Sequence, residues 1–289
     1  MHIKTTFFFL AALCLFSAAG ETPISRRTAW LKDLASPQKK EKTILKGLDS
    51  SDKEIRARAV YEFYLLKKEA ALPELEKRIS RAGLEETMNL IICARMVKDQ
   101  AKKTAFLSAI AAKSPHAAAV REANRCNFPF SGSTIRLSER KDWDFEIVKV
   151  KTISLQDADW KFLPDRQNAG HLSGYYKTDF PDQQWKRGET GYWKGSMTAW
   201  YRIRFQAPPK PDCNAAELNF SGVEEAAWVW VNGVYIGCRD KGPAAWNQPF
   251  QLDITQAIQW GKENVLAVRV LNTGHEGGIY KPIALDILK

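Results

Sequence analysis

The chain changes its hydrophobic rhythm once. From Arg26 to Asn124 apolar residues recur with a helical period. Ser50, Ser51 and Asp52 offer capping oxygens just ahead of KEIRARAVYEFYLLKKEA. In that stretch Ile55, Ala59, Phe63 and Leu66 fall at i, i+4, i+8 and i+11 and share one helical face. Pro73 suits the first turn of the next helix, where Leu72, Leu75 and Ile79 continue a stripe. Leu84, Met88, Ile91 and Ile92 make a third stripe, Phe106, Leu107 and Ile110 a fourth, and Ser114-Pro115 opens a fifth helix at HAAAVREAN. From Ile135 onward the runs shorten and alternate, separated by Gly, Pro, Asn and Asp. FEIVKVKTI, TAWYRIRFQ, AAELNFSGV, AAWVWV, VYIGCR and ENVLAVRVL read as strands. In TAWYRIRFQ, Trp200, Arg202, Arg204 and Gln206 alternate with Tyr201, Ile203 and Phe205. ENVLAVRVL is more continuously apolar and is expected further inside.

AWVWVNGVYIG, residues 227–237, is the most legible stretch. Asn232-Gly233 between two β-branched and aromatic runs predicts a two-residue hairpin, because both central positions need φ > 0 and both residues tolerate it. Ala227, Val229 and Val231 face one way and Trp228 and Trp230 the other. Such a tryptophan pair can stack on sugar rings or fill the space between two sheets. The inner face of a sandwich is the one certain to be covered, so Trp228, Trp230 and Trp200 are expected in the core, with Trp160 against a sheet edge. Asp253-Ile254-Thr255 followed by QAIQWGKEN reads as a short helical turn closed by Gly261. The fold class that follows is multidomain α then β: a helical segment and then an antiparallel β-sandwich or jelly roll.

Charge and tryptophan content place the boundary. Residues 21–125 hold 22 Lys and Arg against 14 Asp and Glu, whereas residues 126–289 hold 20 against 19, and nine of the ten tryptophans lie at or beyond Trp143. The domains read as 1–20 signal peptide, 21–126 helical segment and 127–289 sandwich. The first twenty residues place Lys4 before the apolar run Phe7–Phe16 and end in Ser17, Ala18, Ala19 and Gly20, the layout of a secretory signal. The expectation is a secreted or periplasmic protein. Leu13 before Cys14 argues against lipid attachment, and no run is long enough for a membrane span. Export permits disulfides among Cys93, Cys126, Cys213 and Cys238, although Cys93 inside NLIICARM reads equally as a buried thiol. The basic surplus of the helical segment reads as solvated helix faces, and no nucleic-acid partner is expected.

The helical stretch DSSDKEIRARAVYEFYLLKKEAALPELEKRI resembles a HEAT-type repeat, and SPHAAAVREA resembles the start of another; a plain helical bundle is the alternative. WKFLPDRQNAG, DFPDQQWKRGETGYW, AWYRIRFQAPP, LNFSGVEEAAWVWVNGVYIG, FQLDITQAIQWGKENVLAVRV and GGIYKPIAL, in that order, resemble the galactose-binding-like jelly roll that forms the N-terminal sugar-binding domain of glycoside hydrolase family 2, over roughly Trp160 to Leu288. The resemblance implies a β-sandwich that normally precedes an immunoglobulin-like domain and a catalytic barrel. In that family the acid/base glutamate follows an asparagine, and none of the ten asparagines here is followed by Glu. The sandwich ends close to Lys289, and no barrel is expected to hold two carboxyl groups across a glycosidic bond. GxSxG, Gly-rich phosphate loops, CxxC and His/Cys clusters are absent from the sequence, so no catalytic residue, cofactor or metal is expected.

Ligand contact is expected from loops carried on the sheets. DQQWKRGETGYW offers Trp185 and Trp193; RDKGPAAW offers Arg239, Asp240 and Trp246; LNTGHEGGIY offers Asn272, His275 and Glu276. In the related glycosidases the loop just before the Gly-Ile element reaches toward the sugar, which carries that role by position to Asn272, His275 and Glu276. Closing the sandwich is the plainer role for the same loops. The functional expectation is a carbohydrate-binding protein without catalysis. Its alternatives are a protein-interaction module acting through the helical segment, and an accessory part of a glycosidase acting with a separate barrel.

Overall fold

The computed structural model describes residues 22–132, 137, 147–187 and 193–289. The expected signal peptide lies outside the described residues. The chain forms two compact units, one ending at Lys98 and the other beginning at Asp99. The unit boundary thus falls ahead of the compositional one at residue 126, and the last two helices group with the strands.

The first unit holds α1 (Pro23–Ala35), α2 (Lys40–Leu48), α3 (Lys53–Lys67), α4 (Leu72–Glu76) and α5 (Leu84–Met96). Asp52 caps α3, its carboxylate accepting from the Glu54 and Ile55 amides at 2.9 and 3.4 Å. Pro73 lies in the first turn of α4, where its missing N–H costs nothing. The buried core joins Ile44 and Leu48 of α2, Ile55, Ala59, Val60 and Phe63 of α3, and Leu90, Ile91 and Ala94 of α5. Gly47 is needed here: a Cβ would lie 2.9 Å from both the Trp30 indole nitrogen and the Ala59 side chain. Two sequence stripes need correction. Leu66 is exposed at the end of its expected stripe. On α5 only Ile91 of the expected set is buried, while Leu84, Met88 and Ile92 point outward, because the buried face runs through Glu86, Thr87, Leu90, Cys93 and Ala94, with the Asn89 amide group donating to the Ala57 carbonyl of α3 at 2.7 Å.

The second unit holds α6 (Gln100–Lys113), α7 (Ala117–Cys126) and all the strands: β1 (Lys149–Ser154), β2 (Lys161–Pro164), β3 (Lys186–Arg187), β4 (Trp193–Lys194), β5 (Met197–Gln206), β6 (Ala215–Phe220), β7 (Ala226–Val231), β8 (Val234–Asp240), β9 (Phe250–Asp253), β10 (Glu263–Asn272), β11 (Glu276–Gly277) and β12 (Ile283–Leu288). A four-stranded sheet, β1-β12-β6-β9, faces a six-stranded one, β3-β2-β5-β10-β7-β8, and β11 pairs with β4. The pairs within these sheets are antiparallel. β10 lies between β5 and β7, and its residues from Asn264 to Val270 are buried, which explains its continuous apolar run. Tyr201, Ile203 and Phe205, Ala227, Val229 and Val231, and Leu266, Val268 and Val270 line the inner face against Leu218, Phe220, Phe250, Leu252, Ile283 and Leu285. Phe220 and Phe250 stack with centroids 4.6 Å apart.

Trp200, Trp228 and Trp230 are buried, yet not between the sheets. They project from the outer face of the larger sheet and are covered by Tyr175, Tyr176, Phe180 and Trp185 and by Phe128 and Phe130, just after α7. Phe130 meets Trp230 edge-on at 4.9 Å, and Tyr176 stacks on it at 5.5 Å. The Arg269 guanidinium sits over Phe128 at 4.2 Å and over Trp228 at 4.5 Å. Strand alternation accounts for this arrangement on β7: Ala227, Val229 and Val231 face the opposite sheet, which leaves Trp228 and Trp230 for an outer layer supplied by loops.

The hairpin turn forms as expected, with φ of 51° at Asn232 and 79° at Gly233. The Asn232 amide group also donates to Asn264 Oδ1 at 2.7 Å and the Ala257 carbonyl at 2.8 Å, tying the turn to the next loop. Residues 254–258 form the expected turn, the Ile258 amide donating to the Ile254 carbonyl at 3.0 Å and Asp253 accepting from the Thr255 amide at 2.9 Å. None of the four described cysteines is joined in a disulfide; Cys93 and Cys238 are buried and Cys126 and Cys213 half-buried. Among the described residues no helix is long and apolar enough to cross a membrane.

Candidate functional site

The β6–β7 turn, the loop between β8 and β9 and the residues flanking β11 meet Lys194 of β4 around an open cleft of about 510 Å³ lined by Lys194, Glu224, Trp246, His275, Glu276 and Tyr280. Each wall is set by local backbone chemistry. His275 adopts φ 57° and Gly278 φ 135°, and between them Glu276 pairs with Lys194 and Gly277 with Trp193. Gly277 is required: an added Cβ would come 2.6 Å from the Trp193 ring and 2.7 Å from the Asn272 Cβ. The Gly195 amide donates to the His275 carbonyl at 2.7 Å. Glu225, also at positive φ, accepts from the Thr273 amide at 2.8 Å and its hydroxyl at 3.0 Å, so the loop is pinned at both ends.

The opposite wall is aromatic. Trp246 is 47 % exposed and its ring lies 5.8 Å from that of Tyr280, inclined by 33°. The Tyr280 hydroxyl donates to the Trp246 carbonyl. Below this pair Arg239 is buried over the Phe250 ring, 5.1 Å from its centroid. Its guanidinium donates to the carbonyls of Ala245 and Val223, the residues before Trp246 and Glu224. One buried cation therefore positions both an aromatic and an acidic wall. Burial pulls Arg239 below its usual range. Glu224 is held above the ordinary carboxylate range, chiefly by burial and then by the nearby charges of Glu225 and Glu276.

The structure brings together three of the residues expected from the loops: Trp246, His275 and Glu276. Asp240 is exposed but is not among the cleft residues. The other four serve the framework. Trp185 and Trp193 are 5 % and 9 % exposed and pack in the core layers, since strand ends carry them inward. Arg239 lies beneath the cleft rather than in it. Asn272 is fully buried, its amide donating to the Gly195 carbonyl at 3.1 Å. Lys194, Glu224 and Tyr280 escaped the sequence reading. Tyr280 beside the Gly-Ile element and the Glu224-Glu225 doublet in a turn were the available signals.

This cleft can hold a hydroxylated ring: an apolar plane at Trp246 and Tyr280, acceptors at Glu224 and Glu276, and donors at Lys194 and His275. Residues 165–276 match the family model described as the β-galactosidase second all-beta domain. The sandwich is a glycoside hydrolase family 2-like β-domain. A β-glucuronidase of Formosa agariphila is 27 % identical over 147 residues, which cover 48 % of this chain and 14 % of the relative. A β-galactosidase of Thermoanaerobacter pseudethanolicus is 28 % identical over 159 residues, 46 % of this chain and 20 % of the relative. A solved glycosyl hydrolase family 2 member from Bacteroides cellulosilyticus is 26 % identical with a TM-score of 0.40, over 48 % of this chain and 21 % of that one. The matching region is thus about half of this chain, which spans a fifth or less of the two curated relatives. The cleft residues from Lys194 to Glu276 fall inside the span of the family-2-like domain model, and Tyr280 just beyond it.

Proposed function

We propose that this chain is an exported carbohydrate-binding protein that holds a saccharide in the Trp246–Tyr280 cleft without cleaving it. The exposed Trp246 ring carries the reading. A large indole left half open to water, braced by a tyrosine and faced by carboxylates and a lysine, is what a pyranose ring with its apolar face and equatorial hydroxyls would meet. The relatives named β-glucuronidase and β-galactosidase support a sugar as the ligand class. Openness argues against chemistry at the cleft alone: Lys194, His275 and Glu276 are exposed, and charges in water stabilise a transition state weakly. Affinity electrophoresis in plant, algal and mucin polysaccharides is the test. Retardation by at least one of them, lost in Trp246→Ala while the melting temperature holds, is expected. No retardation by any of them would overturn the proposal.

Two specific observations favour other readings. Leu84, Met88, Ile92 and Met96 form an exposed apolar stripe along α5, which suits a protein partner docking on the helical segment. Met88→Glu with Ile92→Glu would then abolish association with that partner in cross-linking of the full chain. Glu224, raised and near Glu276, suits a glycosidase accessory completed by a separate barrel. Hydrolysis of aryl glycosides by the purified chain, lost in Glu224→Gln, would establish that reading instead.

A further inference from the structure

A second cleft, of about 550 Å³, lies in the β-unit between α7, the loop after β2 and the β5–β10 pair. Its size sits within the range of roughly 300–1,000 Å³ common for ligand pockets. Asn124 of α7 donates to the Gln167 carbonyl at 2.7 Å and fixes the helix against the loop. Arg121 and Arg125 on α7 and Arg166 on the loop line it, together with Glu122 and Asp165.

The two acids are already engaged. Glu122 takes the Arg125 guanidinium at 2.7 and 2.5 Å. Asp165 accepts from the amides of Ala169 and Gly170 at 2.8 and 2.9 Å and from the Trp200 indole at 3.0 Å. Arg121 and Arg166 are exposed and make no ion pair among the described residues. The floor carries a second, independent feature. Thr198 is 3 % exposed, lines the cleft, and its hydroxyl has no hydrogen-bond partner among the described residues. A buried hydroxyl left unpaired forfeits its water hydrogen bonds without replacement, so it marks a place where a polar ligand atom would be welcome.

From this geometry we infer a second binding site, for a hydroxylated ligand bearing a carboxylate or sulfate, gripped by Arg121 and Arg166 with Thr198 hydrogen-bonded to a ligand hydroxyl or oxyanion oxygen. Planar guanidinium groups suit two-oxygen anions. The site is separate from the Trp246 cleft and stands whether or not that cleft binds sugar.

The test uses the full chain labelled for NMR, titrated with trigalacturonate, a sulfated galactose tetrasaccharide and neutral cellotetraose. Both acidic probes, or either one, should shift the Thr198 and Leu271 amides, weaken with added salt, and lose about tenfold in affinity in Arg121→Ala with Arg166→Ala. Thr198→Val should lose affinity by a smaller factor with its melting temperature kept. Which probe binds distinguishes carboxylate from sulfate. The absence of shifts with both acidic probes at millimolar concentration would overturn the inference, as would binding undiminished in the double arginine variant. Shifts centred on Trp246 and abolished by Trp246→Ala would also overturn it while sustaining the first site. Arginine-dependent binding with no saccharide effect at Trp246 would do the reverse.

Discussion

Arg239 separates a framework role from a ligand-binding one, and Arg239→Met tests the difference. The methionine keeps most of the volume and removes the charge. Two charge-assisted bonds go, to the Ala245 and Val223 carbonyls, each worth about 1.5–3 kcal/mol. The contact over Phe250 adds roughly 0.5–1 kcal/mol. Nearness to the cleft lets water satisfy part of what is exposed, so the net loss should be about 3 kcal/mol. For a unit of this size, residues 99–289, that lowers the melting temperature by roughly 6–12 °C in calorimetry. Arg239→Lys should recover less than half, because one ammonium cannot fork between two carbonyls. Saccharide affinity should fall as well, since Trp246 loses the support of its neighbour. A shift under about 2 °C with affinity lost would refute the reasoning and make Arg239 a direct contact.

Three further outcomes follow from the same unit. His171 is buried against the Phe128 ring, and desolvation first, then the nearby charge of Arg269, hold it down at about 4 against an ordinary 6.5. Neutral imidazole is therefore the folded form: its stabilisation is complete above pH 6.5 and drains away as pH falls toward 4. Urea melts should show His171→Gln losing ~3 kcal/mol less than the parent over that window, and parallel curves would refute it. Gly277→Ala should split the β4–β11 pair, because the new methyl meets the Trp193 ring, with a stability loss of about 1–3 kcal/mol and altered tryptophan fluorescence. Asn232→Ala should cost a similar amount, about 1–3 kcal/mol by denaturation, since the turn needs positive φ and its amide ties two loops.

What the chain declares about itself is uneven, for physical reasons. Period-two alternation and Asn-Gly turn chemistry are local, so the strands of TAWYRIRFQ, AAWVWV and ENVLAVRVL and the hairpin at Asn232 could be read directly. Which side of a strand becomes covered is a tertiary fact. Trp228 and Trp230 alternate with valines on either reading, and only the aromatic cover from Phe128, Phe130 and Tyr176 decides that the outer face is dry. The same rule governs the cleft. Trp246 was legible because a tryptophan in a Gly-Pro-rich loop has no periodic neighbour to pack on. Arg239 and Asn272 looked like equally good contacts, yet a buried arginine bonded to two carbonyls and an asparagine bonded to a loop carbonyl hold the site open from beneath. Polar residues beside a loop thus divide into those that meet a ligand and those that position the ones that do. Sequence proximity treats both alike, and the burial of the guanidinium tells them apart.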